Sequence, residues 1–122
     1  MENKSIISLL SKNFAVRIVF LCKFLLDKNK QDKILPRLTD QILRSGTSIG
    51  ANIQESINAV SDADYVNKLG IALKEADETK YWLELLFETK YLNRQQYTSI
   101  YNDNCKICGA LVNCIKSKKM SM

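Results

Sequence analysis

Apolar residues recur every three or four positions along most of the chain, which is the spacing of helices with one buried face. The runs cover residues 5–27, 36–58, 62–90 and 94–116. Pro36 suits the first turn of the second helix, and Ser61 and Asn93 suit the N-caps of the third and fourth. The pattern predicts an all-α, antiparallel up-down-up-down four-helix bundle, forming one domain over residues 1–122 and fraying after residue 116.

The predicted core consists of the residues that share one face of each helix. These are Ile7, Leu10, Phe14, Ile18, Leu21 and Leu25, then Leu38, Ile42, Ser45, Ile49 and Ile53, then Tyr65, Leu69, Ala72, Ala76, Thr79, Leu83 and Leu86, and finally Tyr97, Ile100, Asn104, Ile107, Leu111 and Ile115. Gly46 and Gly50 each cost the second helix about 0.8–1 kcal/mol relative to Ala. We therefore expect both glycines to face a closely packed helix.

Two helices carry a second apolar stripe outside the predicted core. The stripe residues are Leu9, Val16 and Phe20 of the first helix, and Ile71, Trp82 and Leu85 of the third. The surface of a monomer would carry charged residues at such positions. The two stripes therefore predict a homo-oligomer that buries them between subunits.

A line of polar residues crosses the small-residue part of the second helix. It contains Arg44, Ser48, Asn52 and Glu55, and the third helix adds Glu75 and Glu78. These groups can pair with one another and fix the register of the helices, or they can form a ligand site. We favour the structural interpretation, and we expect Glu55 and Asn52 to lie partly inside the assembly, with Arg44 or a basic group of a neighbouring helix as partner.

The net charge of +5 is unevenly distributed, since residues 1–30 and 91–122 each carry +4 while residues 61–90 carry −3. In an up-down bundle the first helix lies beside the fourth, so lysines of both helices can share one edge, as phosphate binding requires. The candidate nucleic-acid contacts are Lys4, Lys12, Lys23, Lys106, Lys116, Lys118 and Lys119. The alternative is that these lysines only keep the protein soluble.

Catalytic and metal chemistry have little support in the sequence. The chain has no His, and its single CxxC, Cys105 to Cys108, lies in a helical pattern without a second pair. We expect Cys22, Cys114 and this pair to be reduced thiols, and we expect no metal, no cofactor and no enzymatic activity. The most apolar run, residues 14–26, is too short and too charged to span a bilayer, and no signal peptide is evident, which predicts a cytoplasmic protein.

Two segments carry a resemblance to a known family. Residues 41–55 read QILRSGTSIGANIQE and residues 68–86 read KLGIALKEADETKYWLELL. Together they resemble the bacterial four-helix-bundle proteins encoded within intervening sequences of 23S ribosomal RNA genes, often labelled S23 ribosomal proteins. The resemblance covers about residues 5–116. One departure is Ser56-Ile57-Asn58, where the family usually places a Gly soon after the Asn-Ile-x-Glu motif.

The resemblance implies a ring-like homopentamer without established enzymatic activity. It also implies kinship with the accessory variability protein of diversity-generating retroelements, which binds a reverse transcriptase and nucleic acid. Two hypotheses follow for this chain. The first is a homo-oligomer that binds structured RNA or DNA, or a nucleoprotein partner, through a basic surface. The second is an oligomeric protein-interaction scaffold without nucleic-acid binding.

Overall fold

The computed structural model describes residues 3–122, with side chains from residue 6 onward, and contains four helices. They are α1 (Asn3–Lys28), α2 (Leu35–Ile57), α3 (Asp62–Glu88) and α4 (Arg94–Ser121). Helix α1 packs against α2 and α4, and α3 packs against the same two helices, so that α1 and α3 lie on a diagonal. The described chain contains no strand. The predicted all-α up-down-up-down bundle is therefore confirmed.

The core follows the predicted helix faces. All seven predicted core residues of α3 are buried. In the other helices the predicted residues are buried, except for five that are half-buried and pack against the core from its edge: Leu10, Leu21, Leu38, Tyr97 and Ile115. Several small polar side chains and thiols are buried beside them, namely Ser11, Cys22, Thr39, Ser56, Cys108 and Cys114. The buried faces of the four helices thus meet in one hydrophobic core.

The helix starts are fixed by side-chain caps. Asp32 Oδ1 accepts the backbone N–H groups of Ile34 and Leu35, each at 2.9 Å, ahead of α2. Ser61 Oγ accepts the N–H of Asp64 at the start of α3. At α4, Asn93 and Gln96 form a complete capping box. These bonds satisfy backbone donors that the first turn of a helix leaves unpaired.

The C-terminal ends of α3 and α4 differ from expectation. Helix α4 continues to Ser121 instead of fraying after residue 116, because Lys118 Nζ lies 3.4 Å from Asp62 Oδ1 and 5.1 Å from the ring centroid of Tyr65. Helix α3 stops two residues early at a Schellman motif, in which the N–H of Tyr91 bonds to Leu86 and the N–H of Lys90 bonds to Phe87. Lys90 has a φ of 73°, the left-handed conformation that usually selects Gly.

The small residues of α2 allow α1 to approach closely. A Cβ atom added to Gly46 would lie 2.9 Å from Ile18 Cγ1, and one added to Gly50 would lie 3.4 Å from Ser11 Oγ. The first distance is shorter than side-chain carbons tolerate, and Ile18 is fully buried and cannot move aside. The expectation that these glycines face a closely packed helix is confirmed, and the helix is α1.

Gly46→Ala should lower the free energy of unfolding by about 1 kcal/mol, because overpacking against Ile18 outweighs the gain in helix propensity. Gly109→Ala is the matched control, since the added Cβ would meet no packing neighbour within 4 Å. The control should raise stability by about 0.5–1 kcal/mol. Urea unfolding followed by circular dichroism measures both. If the two variants stabilise the protein equally, Gly46 does not set the distance between α1 and α2.

Candidate functional site

The polar motif begins with an ion-pair cluster that joins α2 to α3. Arg44 Nη1 donates to Glu75 Oε2 at 3.1 Å, and Arg44 Nη2 donates to Glu78 Oε2. The Glu78 carboxylate also accepts the indole N–H of Trp82 at 2.9 Å. Because Glu75, Glu78 and Trp82 follow spacings of three and four, they share one flank of α3 and face α2 together.

A buried hydrogen bond lies directly beneath this cluster. The hydroxyl oxygens of Thr79 and Ser45 are 2.9 Å apart and are shielded from solvent between α2 and α3. Arg44 above them is half-exposed, whereas the side chain of Glu75 is only 20% exposed. The cluster therefore covers the α2–α3 contact from its solvent side, and the buried hydroxyl pair fixes the register of the two helices.

The remaining motif residues form a second, separate set. Ser48 Oγ donates to the carbonyl of Arg44 at 2.6 Å, and Asn52 Nδ2 donates to the carbonyl of Ser48 at 2.8 Å. Glu55 accepts from Lys68 Nζ of α3 at 3.0 Å, and this hydrogen bond raises the pKa of Lys68. Glu55 thus pairs with a basic group of the neighbouring helix and not with Arg44. In the chain as described Asn52 is half-buried, and the Glu55 side chain is 59% exposed.

Most of the candidate lysines whose side chains are described are exposed, but they do not share one edge. Lys12, Lys23, Lys106, Lys116 and Lys119 are exposed, Lys118 is half-buried in its contact with Asp62, and the Lys4 side chain lies outside the described residues.

The position of Lys12 departs from the expected sharing of one edge by α1 and α4. Lys12 lines a groove of about 340 Å³ between α1 and α2, together with Thr47 and Gly50. Arg17 lies on the opposite flank of α1. Its Nη1 is 2.5 Å from Asp103 Oδ2 and its Nη2 donates to Ser99 Oγ at 3.0 Å, both on α4. Lys23 lies eleven residues after Lys12, about three helical turns, and so belongs to the α2 side as well.

The apolar stripes differ in exposure. On α1, Leu9, Val16 and Phe20 are 56%, 44% and 62% exposed. On α3, Ile71, Trp82 and Leu85 are half-buried, and Trp82 packs against the core. The outer face of α1 is therefore the main apolar surface among these residues, and its role in an oligomer stays a prediction.

Sequence reasoning missed one group of basic residues. The hydroxyl of Tyr91 donates to Asp32 Oδ2 at 2.6 Å and joins the α1–α2 connection to the α3–α4 connection. This bond lowers the pKa of Asp32 and raises that of Tyr91. The group comprises Lys28, Lys30, Lys33, Arg37, Lys90 and Arg94, all exposed at this end of the bundle. Counting charge at each end of the predicted bundle, instead of over consecutive segments of the chain, would have found this group of basic residues.

The three buried cysteine thiols show no sign of activation. Burial raises the pKa of Cys22 to about 11 and also raises the pKa values of Cys108 and Cys114, which keeps these thiols protonated. The side chains that the structure describes contain no group of three or more His, Cys, Asp or Glu residues suited to a metal ion. None of the described helices is long and apolar enough to cross a membrane.

Comparison with known proteins supports the resemblance. The family model described as 23S rRNA-intervening sequence protein matches residues 3–113. A solved structure of a protein with unknown function from the S23 ribosomal protein family of Bacteroides thetaiotaomicron VPI-5482 is 52% identical. The match covers 94% of this chain and 99% of that one, with a TM-score of 0.88. No curated protein matches the chain.

Arg44→Met should lower the free energy of unfolding by about 1 kcal/mol, because it leaves Glu75 and Glu78 side by side without a counter-charge. Adding Glu75→Gln should restore part of the loss, so that a double-mutant cycle gives a coupling of about 0.5–1 kcal/mol. Lys30→Met is the control, since its ion pair with Asp27 is largely exposed and should matter little. Simple additivity of Arg44→Met and Glu75→Gln would argue against a paired cluster.

Proposed function

Because the chain belongs to the 23S rRNA-intervening sequence protein family, we propose that it is a non-enzymatic, homo-oligomeric bundle that binds structured RNA or a nucleoprotein partner through a basic surface. The resemblance to that family makes a pentamer the expected assembly. From the same resemblance we expect that a protein partner would be of the reverse transcriptase type.

The exposed apolar face of α1 is the observation that carries this proposal. Leu9, Val16 and Phe20 follow one line of the helix, and Val19 beside them is 40% exposed. An outer helix face of a stable monomer is normally polar, so a continuous apolar face indicates a surface that another molecule covers. In a homo-oligomer that molecule is a second copy, and the half-buried stripe on α3 is the second surface that the sequence predicts to lie between subunits.

The charge of the chain supports an anionic partner. Lys12, Lys23, Lys106, Lys116 and Lys119 are exposed and make no ion pair with any side chain that the structure describes. Lysines act as point charges on phosphates and read bases poorly, so we expect binding that is largely independent of sequence. A ring adds avidity, since each subunit presents the same cations to one polyanion.

Phe20→Glu should disrupt the oligomer with little loss of helicity, because it places a carboxylate in the apolar face while Phe20 contributes little to the core of its own subunit. Light scattering at micromolar concentration and circular dichroism measure the two effects. Val60→Glu is the matched control, since Val60 is 92% exposed on the α2–α3 connection. A monomeric wild-type protein would contradict the proposal of a homo-oligomer.

The wild-type protein should be retained on structured RNA at about 50 mM salt and released steeply as salt rises. Lys12→Glu combined with Lys23→Glu should weaken retention, because the pair reverses two cations on one line of α1. Lys74→Glu, on the acidic helix α3, should leave retention largely unchanged. Should the wild type bind neither RNA nor DNA at low salt, the protein-interaction scaffold replaces this proposal.

A further inference from the structure

We propose that one end of the bundle, formed by residues 27–37 and 88–94, is the principal surface for the phosphates of structured RNA. This inference rests on the proposed function and assigns its binding surface. We call these two segments the basic end.

The basic end collects cations that are distant in the sequence. Its two segments contain six basic and three acidic side chains, a net charge of +3 on eighteen residues. The bond between Tyr91 and Asp32 holds the segments together, and each of the six basic residues lies within five positions of one of these two residues. All six basic side chains are exposed. Concentrated cations on one surface are the electrostatic feature that binds phosphates.

The opposite end of the bundle lacks this excess. There, residues 55–64 contribute three acidic and no basic side chains, and they offset the three lysines of residues 116–122. Asp62 pairs with Lys118, and Glu55 pairs with Lys68 just beyond these residues, so that counting Lys68 gives this end a net charge of +1 against +3 at the basic end. Among the residues whose side chains are described, the two ends therefore differ in net charge, and the basic end offers the stronger site for a polyanion.

Two carboxylates of the basic end, Asp27 and Asp32, leave most of its cations without an ion pair. Asp32 is occupied by the N–H groups at the start of α2 and by the Tyr91 hydroxyl. Asp27 is 3.6 Å from Lys30 Nζ in a mostly exposed pair. Among the described side chains, Lys33, Arg37 and Lys90 have no ion-pair partner. Because the Asp32 bonds also order both connections, these cations sit on a rigid support, which lowers the entropy cost of binding.

Lys90 provides a second, independent observation. It occupies the left-handed position of the Schellman motif with a φ of 73°, where Gly would be free of strain. A Lys side chain at this position destabilises the helix end. Residues held in such conformations cluster at functional sites, where the side chain serves a purpose other than stability. A phosphate contact by the Lys90 ammonium group supplies that purpose.

The basic end is compatible with the proposed oligomer. None of the six predicted interface residues lies in it, since all of them are on the sides of α1 and α3. In a cyclic assembly, symmetry places the same end of every subunit on the same rim. The basic ends then form one ring of positive charge, which suits a long polyanion and multiplies the affinity of a single subunit.

The test compares two triple variants with the same change of charge. Lys33→Glu, Arg37→Glu and Lys90→Glu alter the basic end, while Lys106→Glu, Lys116→Glu and Lys119→Glu alter α4. Fluorescence anisotropy with a defined RNA hairpin, repeated over a range of salt concentrations, gives the affinity and its salt dependence. The basic-end variant should bind far more weakly, and its salt slope should fall by about one for each phosphate that the protein no longer binds. An equal or greater weakening in the α4 variant would overturn the assignment.

Lys90→Gly separates binding from folding. It should raise the melting temperature, because Gly relieves the left-handed strain, and still lower the salt slope of RNA binding by about one. A higher melting temperature with unchanged RNA binding would remove Lys90 from the site. If the wild type does not bind the hairpin, the proposed function and this inference both fail. If the wild type and the basic-end variant bind equally well, only the inference fails.

Discussion

The structure depends on how closely α2 approaches its two neighbours. Gly46 brings α2 so near to α1 that a single added carbon would meet Ile18, and Ser45 bonds Thr79 on the side of α3. Small side chains on two faces of one helix allow both contacts at once. The loss of helix propensity at the glycines is offset by the packing and dispersion contacts that close approach permits.

That arrangement leaves α1 with one buried face and one exposed apolar face. The buried face carries Phe14 and Ile18 in the core, and Arg17 ties one flank to α4 through Asp103. The opposite face presents Phe20 and its neighbours to solvent. Because α1 already packs against α2, α4 and the core, its outer face is free for another molecule, and the sides and ends of the bundle can serve different partners.

The ion pairs mainly fix how neighbouring helices pack against one another. Arg44 with Glu75, Glu55 with Lys68, and Arg17 with Asp103 each join neighbouring helices at their solvent edges. Such half-exposed pairs contribute little free energy each, but they select one register because a shifted helix would leave them unpaired. The cations that remain without a carboxylate are therefore the better candidates for an external anion, and several of them lie at the basic end.

The sequence by itself determined the four helices, most of their ends and their buried faces, because the 3.6-residue period and the caps at Ser61 and Asn93 are local properties. The whole core line of α3 followed from that period. The sequence did not determine which neighbouring helix each flank of a helix contacts. The partner of Glu55, the side of α1 that carries Lys12, and the contact that extends α4 to Ser121 all depend on how the helices are rotated and ordered. The tertiary structure also joined Asp32 to Tyr91, 59 residues apart, and so created the basic end. Periodicity identifies a buried face, but only packing decides which side chains from distant segments come together.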